Sequence, residues 1–235
     1  MGYDLWCWPE SSGPGEFVRL TLEAAEIDYA DRARQEGTEA LLADLAGRTG
    51  RIPFAPPYLV YDGLVIAQVA NILMYLGERH ELAPTGMADR LWLNQMHLTI
   101  ADCVAEVRNV HRPAGPGSRY QDQPREAAGA AVRFRDERLP RFLAHFEHAA
   151  GSNPGEWLID HRWSPVDCSL FQLVEGLRHM FPRRMATLEP GYPRLMRIHA
   201  MVADLPAVRA YLRSDRRIPF NERGIFRRHS ELDGE

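Results

Sequence analysis

The stretch of sequence that decides the fold covers residues 52–68 and reads IPFAPPYLVYDGLVIAQ. It contains two short apolar runs, Tyr58–Tyr61 and Leu64–Ala67, separated by the two-residue loop Asp62-Gly63. Apolar runs of this length are typical of β-strands, and an Asp-Gly loop favours the backbone conformation of a tight hairpin turn. The stretch therefore predicts two antiparallel strands joined by a hairpin.

The residues on either side of the hairpin extend this pattern. A proline pair, Pro56 and Pro57, comes directly before the first strand. At that position a missing N–H breaks no sheet hydrogen bond, and cis peptide bonds occur there in tight bends. After the second strand, residues 68–78 change to the spacing of an amphipathic helix. The predicted buried face of that helix consists of Ile72, Leu73 and Leu76.

The composition limits the class of protein. The chain has 235 residues, of which 45% are hydrophobic, so it can hold one large domain or two small ones. Its formal net charge of −4 argues against nucleic acid or an anionic membrane as the main partner. Its three scattered cysteines do not form the pattern of a disulfide framework or a zinc site. No apolar run approaches the ~20 residues that span a bilayer, and we expect a cytoplasmic protein.

The first third of the chain alternates between strand and helix patterns. Apart from the hairpin and its helix, we predict strands over residues 3–8 and 27–34, and helices over 16–25 and 38–46. The resulting order is β-α-β-α-β-β-α. Residues 81–86, which include a proline and a glycine, break the pattern and are expected to form a linker.

From residue 88 onward the chain is predicted to be helical. Two long amphipathic stretches cover residues 89–110 and 122–150. Further on, Ser164 and Asp167 precede an apolar helix over residues 168–180. Their spacing is that of a capping box, in which each side chain accepts a hydrogen bond from the backbone N–H of the other residue.

Together these features resemble the fold of the cytosolic glutathione transferases. That fold has an α/β thioredoxin-like N-terminal domain, here residues 1–82, and an all-helical C-terminal domain, here residues 88–235. In the family a cis-proline precedes the third strand, a Gln-Ser or Glu-Ser pair opens the third helix, and a Ser/Thr-x-x-Asp box opens the sixth. The pair Trp8-Pro9 and residues 15–20 make the N-terminal half most similar to the tyrosine-type classes, sigma in particular.

The resemblance implies a site for glutathione, the thiol-bearing co-substrate of the family. Gln68 lies eleven residues after Pro57, as in the family, so Pro57 is the expected cis-proline. The preceding residue normally pairs its N–H and C=O with the glutathione backbone, but Pro56 has no N–H. Val69 replaces the usual Ser, although its N–H at a helix N-terminus still suits the γ-glutamyl carboxylate. Trp8 completes the expected glutathione-binding set.

Two residues are candidates for the group that activates the glutathione sulfur. Cys7 occupies the position of the tyrosine that donates a hydrogen bond to the sulfur in the tyrosine-type classes. A neutral thiol is a weak donor, so Cys7 would either stabilise a thiolate poorly, form a mixed disulfide, or serve only as a buried apolar residue. Ser12 is the alternative, because the serine classes place their activating hydroxyl in the loop after the first strand.

The helical half is expected to supply the remaining site residues. Arg108 and His111 would wall the pocket for a small electrophile, as the end of the fourth helix does in relatives. Asp102 would reach the γ-glutamyl amine of glutathione bound to the second subunit of a homodimer. The acidic and histidine side chains near this helix do not converge on one face, so we expect no metal.

Two hypotheses follow. In the first, the protein is an enzyme that joins glutathione to a small electrophile, or reduces or isomerises the electrophile, in a role of detoxification. In the second, it is a binding or interaction protein that keeps the fold but has lost the chemistry. The replacements at Cys7, Pro56 and Val69 favour the second hypothesis, whereas Gln68 and Trp8 favour the first.

Overall fold

The computed structural model describes residues 2–115, 117, 119–159 and 161–234. Its N-terminal part contains a mixed sheet of four strands. The strands are β1 (Tyr3–Trp6), β2 (Tyr29–Asp31), β3 (Tyr58–Tyr61) and β4 (Leu64–Ala67). Their order in the sheet is β2-β1-β3-β4. β1 is parallel to β2 and antiparallel to β3, and β3 is antiparallel to β4.

The predicted hairpin is confirmed in detail. Tyr61 pairs with Leu64, and the two loop residues between them have positive φ angles of 46° at Asp62 and 74° at Gly63. Positive φ at both central residues is the signature of the hairpin turn whose twist matches that of the strands. The peptide bond between Pro56 and Pro57 is cis, as the sequence predicted.

The predicted strand over residues 3–8 is too long by two residues. β1 ends at Trp6, whose partner across the sheet is Tyr58, the first residue of β3. The next partner along β3 would be Pro57, which has no N–H to donate, so the ladder stops there.

Four helices accompany the sheet: α1 (Gly15–Ala24), α2 (Arg32–Glu36), α3 (Thr38–Gly47) and α4 (Val69–Arg79). Helices α1, α3 and α4 lie within one residue of their predicted bounds. The predicted strand over 27–34 is wrong at its end, because α2 begins at Arg32. The Arg32 guanidinium bonds both Glu36, one helical turn later, and Asp4 on β1, which favours the helical turn over a longer strand.

The rest of the chain is helical, as predicted. Its α-helices are α5 (Met87–His111), α6 (Pro124–Arg133), α7 (Leu139–Ser152), α8 (Pro165–Met180), α9 (Pro182–Leu188), α10 (Pro193–Asp204) and α11 (Pro206–Leu212). The predicted helix over 122–150 is broken by a π-helical segment, Phe134–Arg138. Pro140 explains the break, because a proline has no N–H for the regular ladder and its ring clashes with the preceding turn.

Helix α8 is the centre of the C-terminal part and is buried on nearly every side. Its predicted capping box is present: the Ser164 N–H donates to Asp167 Oδ2 at 2.8 Å. Asp167 Oδ1 also accepts a bond from the Leu158 N–H at 2.9 Å. Burial raises the pKa of the Asp167 carboxyl to about 6, although these hydrogen bonds oppose the shift. Within the described residues, no helix is both long and apolar enough to cross a membrane.

A buried polar cluster joins the two parts. It consists of Glu16, Arg19, Asp31, Tyr211 and Arg217. Arg19 is fully buried on α1, where Nε bonds Asp31 Oδ2 at 2.6 Å and Nη1 bonds Glu16 Oε2 at 3.3 Å. Tyr211 on α11 and Arg217 after it both donate to Glu16 Oε1. Because buried charges must be paired, the cluster fixes α1 against the helical part.

The fold class is therefore confirmed as an α/β part with a mixed four-stranded sheet followed by a mostly helical part. The boundaries 1–82 and 88–235 stay a prediction, and their outer ends, residues 1 and 235, lie outside the described residues. The break between α4, which ends at Arg79, and α5, which begins at Met87, falls where the linker was expected.

Candidate active site

The predicted glutathione-binding residues of β3 and α4 form a small surface that we name the cradle: Pro56, Pro57, Gln68 and Val69. The cis bond places Pro57 in a buried position and leaves Pro56 partly exposed at the edge. Val69 is the first residue of α4, so its N–H has no partner within the helix. Such amides, at the positive end of the helix dipole, can hold a carboxylate.

The backbone at Gln68 is strained. Its φ of 69° and ψ of 121° lie outside the regions that a residue with a Cβ normally adopts. Gln68 is exposed, so no core packing requires this conformation. Strain of this kind is typical of ligand-binding positions.

The loop between β1 and α1 lies beside the cradle. Because Trp6 pairs with Tyr58 in an antiparallel register, the residues after Trp6 run alongside those before Tyr58. The loop between β1 and α1 therefore begins at the same end of the sheet as Pro57. Trp8 in this loop is 42% exposed, which is unusual for a tryptophan.

Cys7 is buried below this loop. Its Sγ contacts Arg19 Nη2, and a Cβ added to Gly15 would come within 2.8 Å of the same sulfur. Burial raises the pKa of the Cys7 thiol to about 12, and the opposing charge of Arg19 does not overcome it. At neutral pH Cys7 is therefore a protonated thiol inside the domain.

Ser12 is also buried, but its environment differs. It is 1% exposed, and its Oγ has no hydrogen-bond partner among the residues that the structure describes. A buried hydroxyl without a partner costs free energy, about 1–3 kcal/mol. Such a group has a donor available for a ligand atom that reaches it.

A cleft of about 720 Å³ opens next to the loop. Three segments form its walls: the loop itself, the C-terminal end of α5, and the C-terminal tail, which we define as residues 218–234. The predicted pocket residues Arg108 and His111 both line it, together with Trp8 and Ser11. The structure thus brings these residues together, whereas Cys7, Ser12, the cradle and Asp102 lie outside the cleft lining.

His111 is 2% exposed, and neither ring nitrogen has a partner in the described part of the chain. Its ring packs edge-on against His229 of the tail, with centroids 5.4 Å apart. Burial, with repulsion from His229, Arg227 and Arg112, lowers the pKa of His111 to about 3. The imidazole is therefore neutral at physiological pH.

The structure places the tail against the loop between β1 and α1. Asn221 Nδ2 donates to Glu10 O at 2.8 Å, and Arg223 forms an ion pair with the Glu10 carboxylate. A Cβ at Gly224 would come within 2.8 Å of Ser12 O, so only glycine allows this close approach. Gly224 is the one signal in the sequence that could have located the contact.

Asp102 lies on the exposed side of α5, eleven residues after Leu91 and four after Leu98. At this spacing the three side chains share one face of the helix. The structure therefore places Asp102 on an apolar outer surface rather than in the cleft.

Comparisons with known proteins agree with this geometry. The sequence model of the family described as "Glutathione S-transferase, C-terminal domain" matches residues 108–215. Glutathione S-transferase A1 of Bos taurus is 24% identical over 216 residues, covering 91% of this chain and 90% of the relative. Glutathione S-transferase alpha I of Oryctolagus cuniculus is 25% identical over 217 residues, with the same coverage. The chain is thus similar to glutathione S-transferases along most of its length.

Solved structures give the same fold. The glutathione S-transferase from Ascaris lumbricoides superimposes with a TM-score of 0.65 at 22% identity, covering 90% of this chain and 96% of that one. Prostaglandin synthase D of Nilaparvata lugens gives a TM-score of 0.69 at 18% identity, covering 93% and 100%. The α/β part of the chain is thus thioredoxin-like, as predicted. The relatives' names do not favour the hypothesis of a non-catalytic binding protein.

Proposed function

We propose that this protein is an enzyme that activates the thiol of glutathione for attack on a small electrophile. The observation that carries the proposal is the position of the loop between β1 and α1, with the cradle on one side and the 720 Å³ cleft on the other. A tripeptide on the cradle would extend its cysteine toward this loop, next to an electrophile in the cleft. The thiol proton would leave to water, and the sulfur would form the new bond.

On the cradle, glutathione would be held mainly by backbone groups. The carbonyl of Pro56 would accept one hydrogen bond from the cysteinyl N–H, and the missing N–H of Pro56 leaves the second bond unmade. The N–H of Val69 would bind the γ-glutamyl carboxylate, with Gln68 beside it. Trp8 would cover the peptide from the cleft side.

Of the two candidates for activating the sulfur, Ser12 has the better support. Its hydroxyl lacks a partner, and a hydrogen bond to the thiolate would favour the charged form and lower the glutathione pKa from ~8.5. Cys7 would have to leave its contact with Arg19 to reach a ligand. The mixed-disulfide mechanism through Cys7 is thus the competing assignment.

We also propose that the protein works as a homodimer. Ile52 and Phe54, in the loop before β3, are 60% and 95% exposed, and α5 presents Met87, Leu91 and Leu98 on its outer side. Apolar side chains exposed in this way mark an interaction surface. A second copy would cover them and would bring its own Asp102 close to a glutathione amine across the interface.

The test is a calorimetric titration with glutathione, followed by a pH titration of the ultraviolet absorbance of the bound thiolate. We expect a dissociation constant below a few millimolar and a bound thiol more acidic than the free one. Ser12→Ala should raise the pKa of the bound thiol by about one unit, whereas Cys7→Ala should leave it unchanged. A shift only in Cys7→Ala would transfer the role to Cys7, and no binding at all would contradict the proposed enzyme.

A further inference from the structure

The cleft is strongly basic although the chain as a whole is acidic. Its charged lining residues are four arginines, Arg108, Arg112, Arg223 and Arg227, and one carboxylate, Glu10. Arg223 forms an ion pair with Glu10, so these two charges compensate each other. Arg108 and Arg227 add positive charge to the cleft, in a protein of formal charge −4.

Two of these arginines have no counter-charge at contact distance. Across residues 2–115, 117, 119–159 and 161–234, neither Arg108 nor Arg227 forms an ion pair with a carboxylate. Arg227 Nε donates a hydrogen bond to the Gly224 carbonyl at 3.1 Å. The Glu222 carboxylate forms no ion pair with Arg227 in the described residues, although its charge opposes the lowering of the Arg227 pKa. Burial and repulsion from Arg112 lower the pKa of both Arg108 and Arg227. An anion bound in the cleft would offset the repulsion that each feels from Arg112.

Helix electrostatics does not explain the arrangement. Cations near the C-terminus of a helix are stabilised by its dipole, which accounts for Arg108 on the last turn of α5. Arg227, however, comes from the tail, which is held over the cleft by hydrogen bonds to the loop at Glu10 and Ser11. Two distant segments therefore place guanidiniums in the same space.

The unpartnered imidazole is an independent sign of a ligand. His111 lines the cleft, is 2% exposed, and has two buried ring nitrogens without partners among the described residues. Buried polar atoms are nearly always hydrogen-bonded, so these nitrogens indicate a group that completes the site. The neutral ring would donate one hydrogen bond to an anionic oxygen.

The lining also has an apolar part, which includes Trp8, Ala105 and Ile225. The cleft therefore has an apolar wall next to the loop between β1 and α1, and guanidiniums along α5 and the tail. We propose that the second substrate is an apolar electrophile that carries a carboxylate, which Arg108 and Arg227 bind while the reactive carbon faces the loop between β1 and α1. This inference rests on the proposed function, because it names the class of electrophile for the same site.

The probe that tests this is para-carboxycinnamaldehyde, with its methyl ester as the uncharged partner. In the reaction, the glutathione sulfur bonds to the β-carbon, the electrons of the C=C bond shift toward the carbonyl, and the α-carbon takes up a proton. The acid and the ester share the same reactive group. Any difference between them therefore reports on recognition of the carboxylate.

Calorimetry on the full chain without glutathione comes first. The acid should bind at least about tenfold more tightly than the ester, since guanidinium–carboxylate bonds are among the strong ones. Arg227→Gln and Arg108→Gln should each reduce the acid-to-ester ratio by about tenfold. The matched control is Arg209→Gln, which removes an exposed guanidinium on α11 outside the cleft and should keep the ratio. Because Arg108 lies on α5 and Arg227 on the tail, the Arg108 variant keeps the test valid if Arg227→Gln does not fold.

The second measurement is the steady-state turnover of the acid and of the ester with glutathione. The acid should have the higher kcat/KM, and the variants should lower this preference without raising the KM for glutathione. A ratio near one in the unmodified protein overturns the inference, as does a preference that survives the double variant. A rise in the glutathione KM alone would assign the arginines to glutathione instead. Preference for the acid without any turnover would contradict the proposed function and leave the anion site standing.

Discussion

The two sides of the candidate active site are built from different kinds of groups. On the cradle, the groups that we propose to bind glutathione belong to the backbone: the Pro56 carbonyl, the amide of Val69 and the strained main chain at Gln68. On the cleft, the proposed binding groups are side chains, chiefly Arg108 and His111. A backbone site tolerates substitution, which is why Val69 can replace a serine and keep the amide. A side-chain site changes its ligand with each replacement.

We expect the largest effect on stability from the buried polar cluster, which joins the α/β part to the helical part. Arg19 lies in the buried polar cluster and pairs with Glu16 and Asp31. Arg19→Met should lower the free energy of unfolding by about 3–5 kcal/mol, because it leaves buried carboxylates uncompensated. Urea denaturation measures the loss. The variant should also weaken binding on the cradle and in the cleft together.

The matched control for that prediction is Arg32→Met. Arg32 also pairs with two carboxylates, Asp4 and Glu36, but at the protein surface. Surface ion pairs contribute little, so we expect no resolvable change in stability. Equal losses in the two variants would show that burial of the cluster is not what joins the halves.

We expect the buried His111 of the cleft to make the free energy of unfolding depend on pH. The pKa of His111 is lowered from 6.5 to about 3, so the unfolded chain binds more protons than the folded protein between these values. Stability contributed by the neutral ring is complete above pH 6.5 and is lost as the pH falls, by at most about 1.4 kcal/mol per unit. His111→Gln should flatten the slope of unfolding free energy against pH. His148→Gln, at an exposed position, should keep it.

Two variants of Gln68 distinguish the cost of backbone strain from the contribution of the side chain to glutathione binding. Gln68→Gly should raise the unfolding free energy by about 1 kcal/mol, because glycine adopts a positive φ without strain. The same variant should weaken glutathione binding several-fold. Gln68→Ala loses the side chain but keeps the strain, so it should weaken binding without stabilising the fold. Stabilisation by both variants would contradict the account of strain.

The smallest effect concerns the side chain of Val69. Since only the amide of Val69 is assigned to glutathione, Val69→Ala should leave the affinity unchanged within about twofold. Val69→Ser adds a hydroxyl next to the carboxylate and should tighten binding by about threefold to tenfold, the range of one hydrogen bond. Calorimetry distinguishes the two variants. A large loss in Val69→Ala would mean that the cradle depends on side chains after all.

Local signals predicted most of the fold. The Asp62-Gly63 turn and the Ser164–Asp167 box each depend on a few neighbouring residues, so the sequence alone reveals them. The end of β2 depends instead on contact between Arg32 and Asp4, which are 28 positions apart in the chain. No local pattern contains that contact, and the predicted strand was too long for this reason.

The candidate site likewise has some features that local sequence spacing predicts and others that depend on separate segments coming together. Pro57 and Val69 could be located from spacing, because the cradle is a short continuous segment. The burial of Cys7 against Arg19 and the cover that the tail forms over Ser12 arise from segments far apart in sequence. The charge of the cleft likewise appears only when α5 and the tail come together around Arg108 and Arg227.

The most direct measurement is a crystal structure of the protein with glutathione bound. We expect the γ-glutamyl carboxylate at the amide of Val69, the cysteinyl N–H bonded to the Pro56 carbonyl, and the sulfur within hydrogen-bond distance of Ser12 Oγ. Glutathione bound only among the arginines of the cleft, or a sulfur bonded to Cys7, would contradict it.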